Sequence, residues 1–433
     1  MIRYTKKMKK KTIYELSDIG EKLTEQSGIL KLMDDLGKSI NNTPPIAMLG
    51  GGNPAVIPEL STLYASRLSA ILSSSKAAQS ALGNYDTPHG NSQFISEITS
   101  YFNTKFGTMI NSKNVATSPG SQSGFFMLFN MLAGKKGRRN KHILLPLVPE
   151  YIGYTDQGLS QDMFVSNKPI ITKIGDHEFK YSIDFETLKI TEDTAAICIS
   201  RPTNPSGNVV SDDEIGKLQI LARQHNIPLI IDNAYGLPFP GVMNADAHLP
   251  TLDDNTILSF SLSKIGLPTA RVGFFVGPES IMQALSAVNA KINLSSPSVG
   301  QYLAADLLKD DSLDLIRDKY LIPHYRERAN FAWRLLHNTL PDAVKWRVHS
   351  YNGSYFFWLW CEDMKISSSQ LYEKLKARGV IVVSGEYFFA GQNVARWDHA
   401  TKCIRINFAR PNHELEAGFI ILAEEIQKAS EGN

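Results

Sequence analysis

A lysine that follows an apolar run is the first candidate for chemistry in this chain. Lys264 closes the segment SLSK directly after ILSF at residues 257–260, with Ser261 before it and Arg271 after it. A lysine buried at such a place has a lowered pKa, and its neutral amine can attack a carbonyl carbon to form a Schiff base. The alternative is a lysine whose long side chain reaches the solvent.

Polar residues at other predicted strand ends could serve the same site. Asp232 follows the apolar run PLII, and a carboxylate there needs a cationic or hydrogen-bonding partner to offset its desolvation. Tyr235 comes three residues later, and Asn204 lies in RPTNPSG after another apolar run. A structural partner for Asp232 and a simple turn role for Asn204 are the competing interpretations.

The segment TSPGSQ at residues 117–122 predicts a helix start that could bind an anion. Phe125, Leu128, Phe129 and Leu132 follow on one helical face. A glycine-rich turn that leads into a helix presents backbone N–H groups and the positive end of the helix dipole to a group such as phosphate. Many ordinary helices also begin with Pro-Gly-Ser, so this feature is weak evidence by itself.

The elements that carry these residues form a repeating pattern. Four short apolar runs, HILLPLV, AAICIS, PLII and ILSF, each stop at a polar cluster, and residues 211–214 form a capping box for a helix that reaches His225. Continuous apolar strands separated by amphipathic helices indicate a mostly parallel sheet covered on both faces. Ligands bind beyond the carboxyl ends of such strands, so the four polar clusters should converge on one cleft.

The C-terminal part of the chain predicts a second, smaller unit. A long helix is expected over residues 313–338, and LYEKLKARGV, VIVVSG and KCIRINFA predict helix, strand and strand. The aromatic run at residues 355–360 predicts a buried strand of this unit. We therefore expect a large domain over residues 60–320 and a small α+β domain built from both chain ends, residues 1–59 and 321–433.

Taken together, these motifs resemble those of the class I and II aminotransferases, which are pyridoxal-phosphate enzymes of fold type I. The resemblance extends from GGGNP at residues 50–54 to RIN at residues 405–407, and it includes NYDTPHG, PEYIGY, SRPTNPSGNVV, DNAYGLPFPG and SLSKIGLPTARVG in the family's order. It implies a three-layer α/β sandwich with a mostly parallel central sheet, and pyridoxal 5′-phosphate as the cofactor. Several ordered motifs are difficult to attribute to coincidence.

The resemblance also implies roles around the cofactor ring. Lys264 would bond covalently to the cofactor and then move the α-proton of the substrate, and Asp232 would pair with the protonated ring nitrogen. Asn204 and Tyr235 would hydrogen-bond the phenolic oxygen of the ring. The implied catalytic residues are therefore Lys264, Asp232 and Tyr235.

At the cofactor phosphate, the resemblance implies four holding residues: Ser121, Gln122, Ser261 and Arg271. Tyr85, in NYDTPHG, is similar to the tyrosine that reaches the phosphate of the neighbouring subunit, which implies a homodimer with shared sites. Arg271 lies seven residues after Lys264, whereas many family members have eight, and Pro268 stands between them. This shorter spacing occurs in the kynurenine and aminoadipate-type branch, and it weakens any subfamily assignment.

On the substrate side, Arg405 matches the arginine that binds the α-carboxylate, and Gly52 matches the glycine whose backbone approaches the same group. Tyr151 matches the aromatic residue that stacks on the ring, with Tyr154 as the alternative. The resemblance implies transfer of the amino group of L-valine, or of a similar small aliphatic amino acid, to pyruvate. The alternatives are a broad aromatic or aminoadipate-type aminotransferase and a pyridoxal-phosphate-dependent β-lyase, because the fold does not determine the reaction.

Composition and charge exclude several other classes of protein. The chain has 433 residues, 43% of them hydrophobic and 20% charged, which is typical of a large globular core and not of a disordered or fibrous chain. The net charge is +2, but residues 1–11 hold Arg3 and five lysines with no acid, so the remainder is slightly acidic and we expect no nucleic-acid partner. The basic segment is interpreted as a solvated tail, with an arm for nucleic acid or an acidic partner as the alternative.

The three cysteines predict a reducing compartment. Cys198, Cys361 and Cys403 lie far apart, their number is odd, and no pair has metal-ligand spacing, so we expect neither disulfides nor a metal site. No apolar run approaches the roughly 20 residues needed to cross a bilayer, and no apolar segment follows the N-terminal lysines. We expect a cytoplasmic enzyme without membrane contact.

Overall fold

The computed structural model describes residues 14–25, 27–31, 33–34 and 46–432, so the basic segment at residues 1–11 lies outside the described residues. The helices in these ranges are α1 Asp18–Leu23, α2 Pro58–Ser73, α3 Ser75–Ala78, α4 Ser92–Phe106, α5 Ser121–Leu132, α6 Asp212–Gln224, α7 Glu279–Asn293, α8 Ser298–Lys309, α9 Ser312–Leu315, α10 Ile322–Thr339, α11 Ser368–Ala377, α12 Asp398–Thr401 and α13 Asn412–Glu431. The strands are β1 Ala47–Met48, β2 Val115–Ser118, β3 Gly134–Lys136, β4 Arg139–Leu145, β5 Phe164–Ser166, β6 Ile170–Ile174, β7 Glu178–Ser182, β8 Thr194–Ser200, β9 Leu229–Asp232, β10 Thr256–Ser261, β11 Gly273–Val276, β12 Trp346–His349, β13 Phe356–Cys361, β14 Val380–Ile381, β15 Val383–Ser384 and β16 Cys403–Asn407.

The larger sheet has the order β2-β11-β10-β9-β8-β4-β3, and β5 also pairs with β4. Strands β10, β9, β8, β4 and β5 run parallel to their neighbours in this series. Strand β11 is antiparallel to both of its neighbours, and β3 is antiparallel to β4. The predicted mostly parallel sheet is therefore confirmed, with antiparallel strands near its two ends.

The register of the parallel strands places three polar side chains side by side. Asp232 at the end of β9 is paired with Ser200 on β8 and with Ser259 on β10. The apolar runs that fill the core end here, and the polar residues that follow them are buried as well. The strand ends predicted from these runs thus meet at one edge of the sheet.

A second sheet has the order β15-β16-β13-β12-β7-β6, and β1 pairs separately with β14. Its strand β13 contains the aromatic run, and Trp358 in that strand is fully buried, so the predicted buried strand is confirmed. Strands β6 and β7 belong to the middle of the chain, yet β7 pairs with β12. The division into residues 60–320 and the two chain ends stays a prediction.

Two predicted strands differ from those in the structure. The run HILLPLV was expected to form one strand, but β4 ends at Leu145 because Pro146 has no N–H to donate to a neighbouring strand. The segment VIVVSG forms two short strands in place of one: β14 pairs with β1, whereas β15 pairs with β16. The carbonyl of Val382, between them, faces Gly50, where a Cβ atom would lie 2.9 Å from it.

The long helix expected over residues 313–338 is confirmed, with an irregular turn inside it. Helix α9 continues through a π turn at Ile316–Leu321 into α10. Pro323 stands in the first turn of α10 and has no N–H, so the regular i to i−4 bond cannot form there. Among the described residues, none of the helices combines the length and the apolar character that a membrane span requires.

Two helical glycines predict opposite effects on stability. Gly124 lies on the buried face of α5, and a Cβ atom there would lie 2.1 Å from the ring of Phe275 on β11. We expect Gly124→Ala to lower the free energy of unfolding by about 1–3 kcal/mol because the helix would have to move away from the sheet.

Gly216→Ala in α6 is the matched control, because a Cβ atom at Gly216 has no neighbour within 4 Å. This variant should raise the free energy of unfolding by about 0.5–1 kcal/mol through the loss of chain entropy in the unfolded state. Denaturant unfolding of both variants measures the effect. Equal changes in the two variants would contradict the close packing of α5 on β11.

Candidate active site

The N-terminus of α5 forms a cradle that only glycine backbones allow. Gly120 has φ of +84°, and a Cβ atom on it would lie 2.2 Å from Nη2 of Arg271. A Cβ atom on Gly273 would lie 2.3 Å from the backbone nitrogen of Ser121. The guanidinium of Arg271 and the free N–H groups of the helix therefore come together at one end of a cavity, an arrangement suited to an anion.

A buried carboxylate lies deeper in the same cavity. Asp232 accepts hydrogen bonds at Oδ2 from the hydroxyl of Tyr154 at 2.7 Å, and at Oδ1 from Ala234 N at 3.1 Å and Ser259 Oγ at 3.2 Å. Burial raises the pKa of Asp232, and these donors oppose the rise. The carboxylate can therefore face a cationic group across the cavity.

Lys264 lies in a short turn directly after β10, with its amine inside the site. Its Nζ donates a hydrogen bond to the carbonyl of Gly52 at 3.0 Å and lies 5.4 Å from the ring centroid of Tyr235. Burial, followed by the positive charge of Arg405, lowers the pKa of Lys264 to about 8. At a pKa of about 8, roughly a tenth of the amine is neutral at pH 7, which supplies some of the free amine that a nucleophile or a base requires.

Arg405 on β16 is a buried cation without a carboxylate partner among the described residues. It is 1% exposed, and its guanidinium donates to Oδ1 of Asn204 at 2.8 Å and to the carbonyl of Gly50 at 2.7 Å. The guanidinium also lies 4.2 Å from the ring centroid of Phe356, and its buried Nε has no hydrogen-bond partner. Burial lowers the pKa of Arg405 to about 10. Such a group is suited to receive an anionic ligand.

The structure brings most of the predicted site residues into one cavity of about 130 Å³. The predicted residues that line it are Ser121, Gln122, Tyr151, Asn204, Asp232, Tyr235, Ser261, Lys264 and Arg271. Gly52 and Arg405 join this group through their hydrogen bonds to Lys264 and Asn204. Tyr85 is not part of the cavity wall, and its side chain is 83% exposed.

Two further tyrosines belong to the site in roles that the sequence did not predict. Tyr154 was considered only as a replacement for Tyr151; the structure places Tyr151 on the cavity wall and Tyr154 behind it, bonded to Asp232. Tyr154 N donates to Tyr151 O, and after this turn the two rings meet edge to face with their centroids 5.5 Å apart, an arrangement that the spacing of three residues did not by itself predict. Tyr355 donates its hydroxyl hydrogen to the carbonyl of Gly52 at 3.2 Å, and nothing in the aromatic run distinguished it.

Comparison with known proteins agrees with this geometry. Residues 61–418 match the family model for aminotransferase class I and II. The valine–pyruvate aminotransferase of Escherichia coli strain K12 is 43% identical over 95% of this chain and 97% of its own length. The crystal structure of the valine–pyruvate aminotransferase from Salmonella typhimurium LT2 has a TM-score of 0.85 at 41% identity, covering 94% of this chain and all of that one.

The crystal structure of a protein from Psychrobacter arcticum 273-4 superposes on this structure with a TM-score of 0.93. The two chains are 39% identical, and the match covers 97% of this chain and all of the other. The fold predicted from the sequence is thus confirmed by structures that match nearly end to end. The family model spans most of the chain, and the site contains the lysine, aspartate and arginine expected at its strand ends. The chain therefore belongs to the class I and II aminotransferases.

Proposed function

We propose that this enzyme transfers the amino group of L-valine, or of a similar small aliphatic amino acid, to pyruvate, giving 3-methyl-2-oxobutanoate and L-alanine. The observation that carries the proposal is the presence, in one site, of the partly buried amine of Lys264 and of the buried Arg405, which no carboxylate of the described residues neutralises. The similarity to the Escherichia coli valine–pyruvate aminotransferase supports the choice of substrates.

The residues present fit pyridoxal 5′-phosphate. Ser121, Gln122, Ser261 and Arg271 would hold the phosphate at the helix N-terminus, where Gly120 leaves room for the guanidinium of Arg271. Asp232 would face the ring nitrogen, Asn204 and Tyr235 the phenolic oxygen, and Tyr151 the face of the ring. When bound, this cofactor supplies a conjugated ring that accepts the electron pair left after the Cα–H bond of the amino acid breaks.

The side chains of the site supply binding and proton transfer. Arg405 binds the substrate carboxylate through its planar guanidinium, and the carbonyl of Gly50 and the amide of Asn204 fix its orientation. The Nζ atom of Lys264 takes the proton from Cα, and the fraction of neutral amine that burial provides makes this possible near neutral pH. The hydrogen bonds that Tyr154, Ser259 and a backbone N–H donate to Asp232 favour its ionised form.

We also propose a cytoplasmic location. Cys198, Cys361 and Cys403 are free and buried, so the described fold has no need of an oxidising compartment. A fusion to a fluorescent protein, imaged in the source cell, tests this location. A signal confined to the cell envelope would contradict it.

A spectroscopic cycle tests the reaction. Purified protein supplied with pyridoxal phosphate should show the absorption band of the lysine-bound cofactor, which L-valine should remove and pyruvate should restore with release of L-alanine. A band that responds only to aromatic amino acids would favour the broad aromatic enzyme, and release of ammonia would favour a β-lyase. Absence of the band after cofactor addition would contradict the enzyme itself.

The negative control for this cycle is Lys264→Ala. Loss of the positioned base should reduce turnover by about 10²–10⁴-fold or more while noncovalent cofactor binding remains. Lys291→Ala, at an exposed position near the end of α7, is the matched control and should turn over like the unchanged protein. Equal turnover in both variants would remove Lys264 from the mechanism.

The hydroxyl of Tyr154 has a separate predicted effect. Tyr154→Phe should raise the pKa of Asp232 further and lower kcat by about 10- to 100-fold, which corresponds to a hydrogen bond to a charged group of about 1.5–3 kcal/mol. The acid side of the kcat profile should move to higher pH. Tyr101→Phe is the control, because it removes a hydrogen bond to Asp314, and neither residue lines the cavity. An unshifted profile would contradict the role of Tyr154.

We further propose a homodimer in which Tyr85 reaches the phosphate site of the partner subunit. The support is the exposure of Tyr85 together with that of Val56 and Leu82, which are 83% and 68% exposed. Sedimentation equilibrium should give twice the chain mass of 48.1 kDa. A monomer with full activity would contradict the shared site.

A further inference from the structure

A second carboxyl group is buried close to Asp232. Glu150 directly precedes Tyr151 and is 1% exposed. Its Oε1 accepts a hydrogen bond from Ser200 N at 2.8 Å, its Oε2 is hydrogen-bonded to the Ser200 hydroxyl, and Tyr151 N donates to Oε2 at 3.3 Å. Because Ser200 is the strand neighbour of Asp232, the two carboxyl groups flank the same strand end.

In the part of the chain that the structure describes, the carboxyl group of Glu150 has no compensating cation. Its hydrogen bonds there come from Ser200 and the backbone of Tyr151, and no lysine, arginine or histidine of these residues contacts it. The titratable groups that face it are Asp232 on β9, Cys198 on β8, Tyr154, and the neighbouring Tyr151. An isolated carboxylate in such a place is costly, and a second carboxylate nearby increases that cost.

Of the two carboxyl groups, Asp232 is the better placed to hold the negative charge. It accepts hydrogen bonds from the phenol of Tyr154, the hydroxyl of Ser259 and one backbone N–H, and the amine of Lys264 lies in the same cavity. Glu150 accepts hydrogen bonds from two backbone N–H groups, and it forms one more hydrogen bond with the hydroxyl of Ser200. Two buried carboxyl groups with this difference in partners should carry one negative charge between them.

We propose that Glu150 is held as a neutral carboxylic acid, with its proton between Oε2 and Ser200 Oγ, and that it positions Tyr151 and Ser200 while leaving Asp232 as the one carboxylate of the pocket. This inference rests on the proposed function in that Asp232 faces the cationic cofactor ring. Glu150 acts through Tyr151 and Ser200, both of which line the cavity, and it is therefore a positioning residue.

The neutral state has a consequence for stability. Burial raises the pKa of Glu150 to about 8, whereas an unfolded chain ionises this group near its ordinary value of 4.5. Unfolding between these two pH values therefore releases a proton, so the stability that this group contributes is present below about pH 4.5 and is lost as pH rises towards 8.

The test is Glu150→Gln, which keeps the shape of the side chain and cannot ionise. Between pH 5 and pH 8 the unfolding equilibrium constant of the unchanged protein should rise, relative to that of the variant, by about tenfold per pH unit. Glu186→Gln, at an exposed position on the surface, is the matched control and should show no such trend. A difference between Glu150→Gln and the unchanged protein that is independent of pH would overturn the proposal.

Measurement with and without pyridoxal phosphate separates this proposal from the proposed function. A protein that fails to bind the cofactor but keeps the pH-dependent difference overturns the enzyme assignment alone. If the protein binds the cofactor but its difference in unfolding equilibrium constant from Glu150→Gln does not depend on pH, the role of Glu150 alone is overturned.

A second measurement needs no variant. The infrared spectrum of cofactor-loaded protein with isotopically labelled glutamate carboxyl groups should contain the carbonyl stretch of a protonated acid at pH 7 and lose it above pH 9. Absence of that band at pH 7 would overturn the proposal.

Discussion

The cost of burying the carboxylate of Asp232 determines much of the surrounding structure. A charge at the end of a buried strand has lost its water, so donors have to come from the protein. They come from three places: the segment after β4 supplies Tyr154, the neighbouring strand β10 supplies Ser259, and the backbone after β9 supplies Ala234 N. These donors depend on the parallel order of β4, β8, β9 and β10, which brings the carboxyl ends of the four strands to the same side of the sheet.

A similar requirement applies on the other side of the cavity, with the opposite sign. The guanidinium of Arg405 is held by two oxygen acceptors, neither of them charged, and by the face of Phe356. Phe356 lies on β13, the antiparallel neighbour of β16. The second sheet thus presents a cation that still lacks an anionic partner, while the first sheet presents a carboxylate and an amine. A ligand with a negative group for Arg405 and a positive group for Asp232 would give each of these side chains a partner of opposite charge.

The strand ends of the site could be predicted because apolar residues are followed by polar ones close to the end of each strand. The helix start at Ser121 and the lysine after β10 follow from the same local signals. Tyr154 could not be assigned to Asp232, because the direction of its ring depends on a turn between two tyrosines. The break in VIVVSG was also beyond local signals, since it arises where Gly50 meets the carbonyl of Val382. Any role of Tyr85 at the phosphate requires a second subunit. A single sequence can indicate such a subunit only through its resemblance to a family of known dimers.

The pairing of β7 with β12 has a consequence for synthesis on the ribosome. The hairpin β6–β7 emerges well before β12, which lies more than 160 residues further along the chain. Until then the edge of β7 that later pairs with β12 has no strand partner, and such an edge can pair with other chains. Lys173 on β6 and Lys180 on β7 place charge on this hairpin, and charged side chains oppose that kind of association. The nascent chain must therefore keep this hairpin soluble while strands β8 to β11 of the larger sheet are still being made.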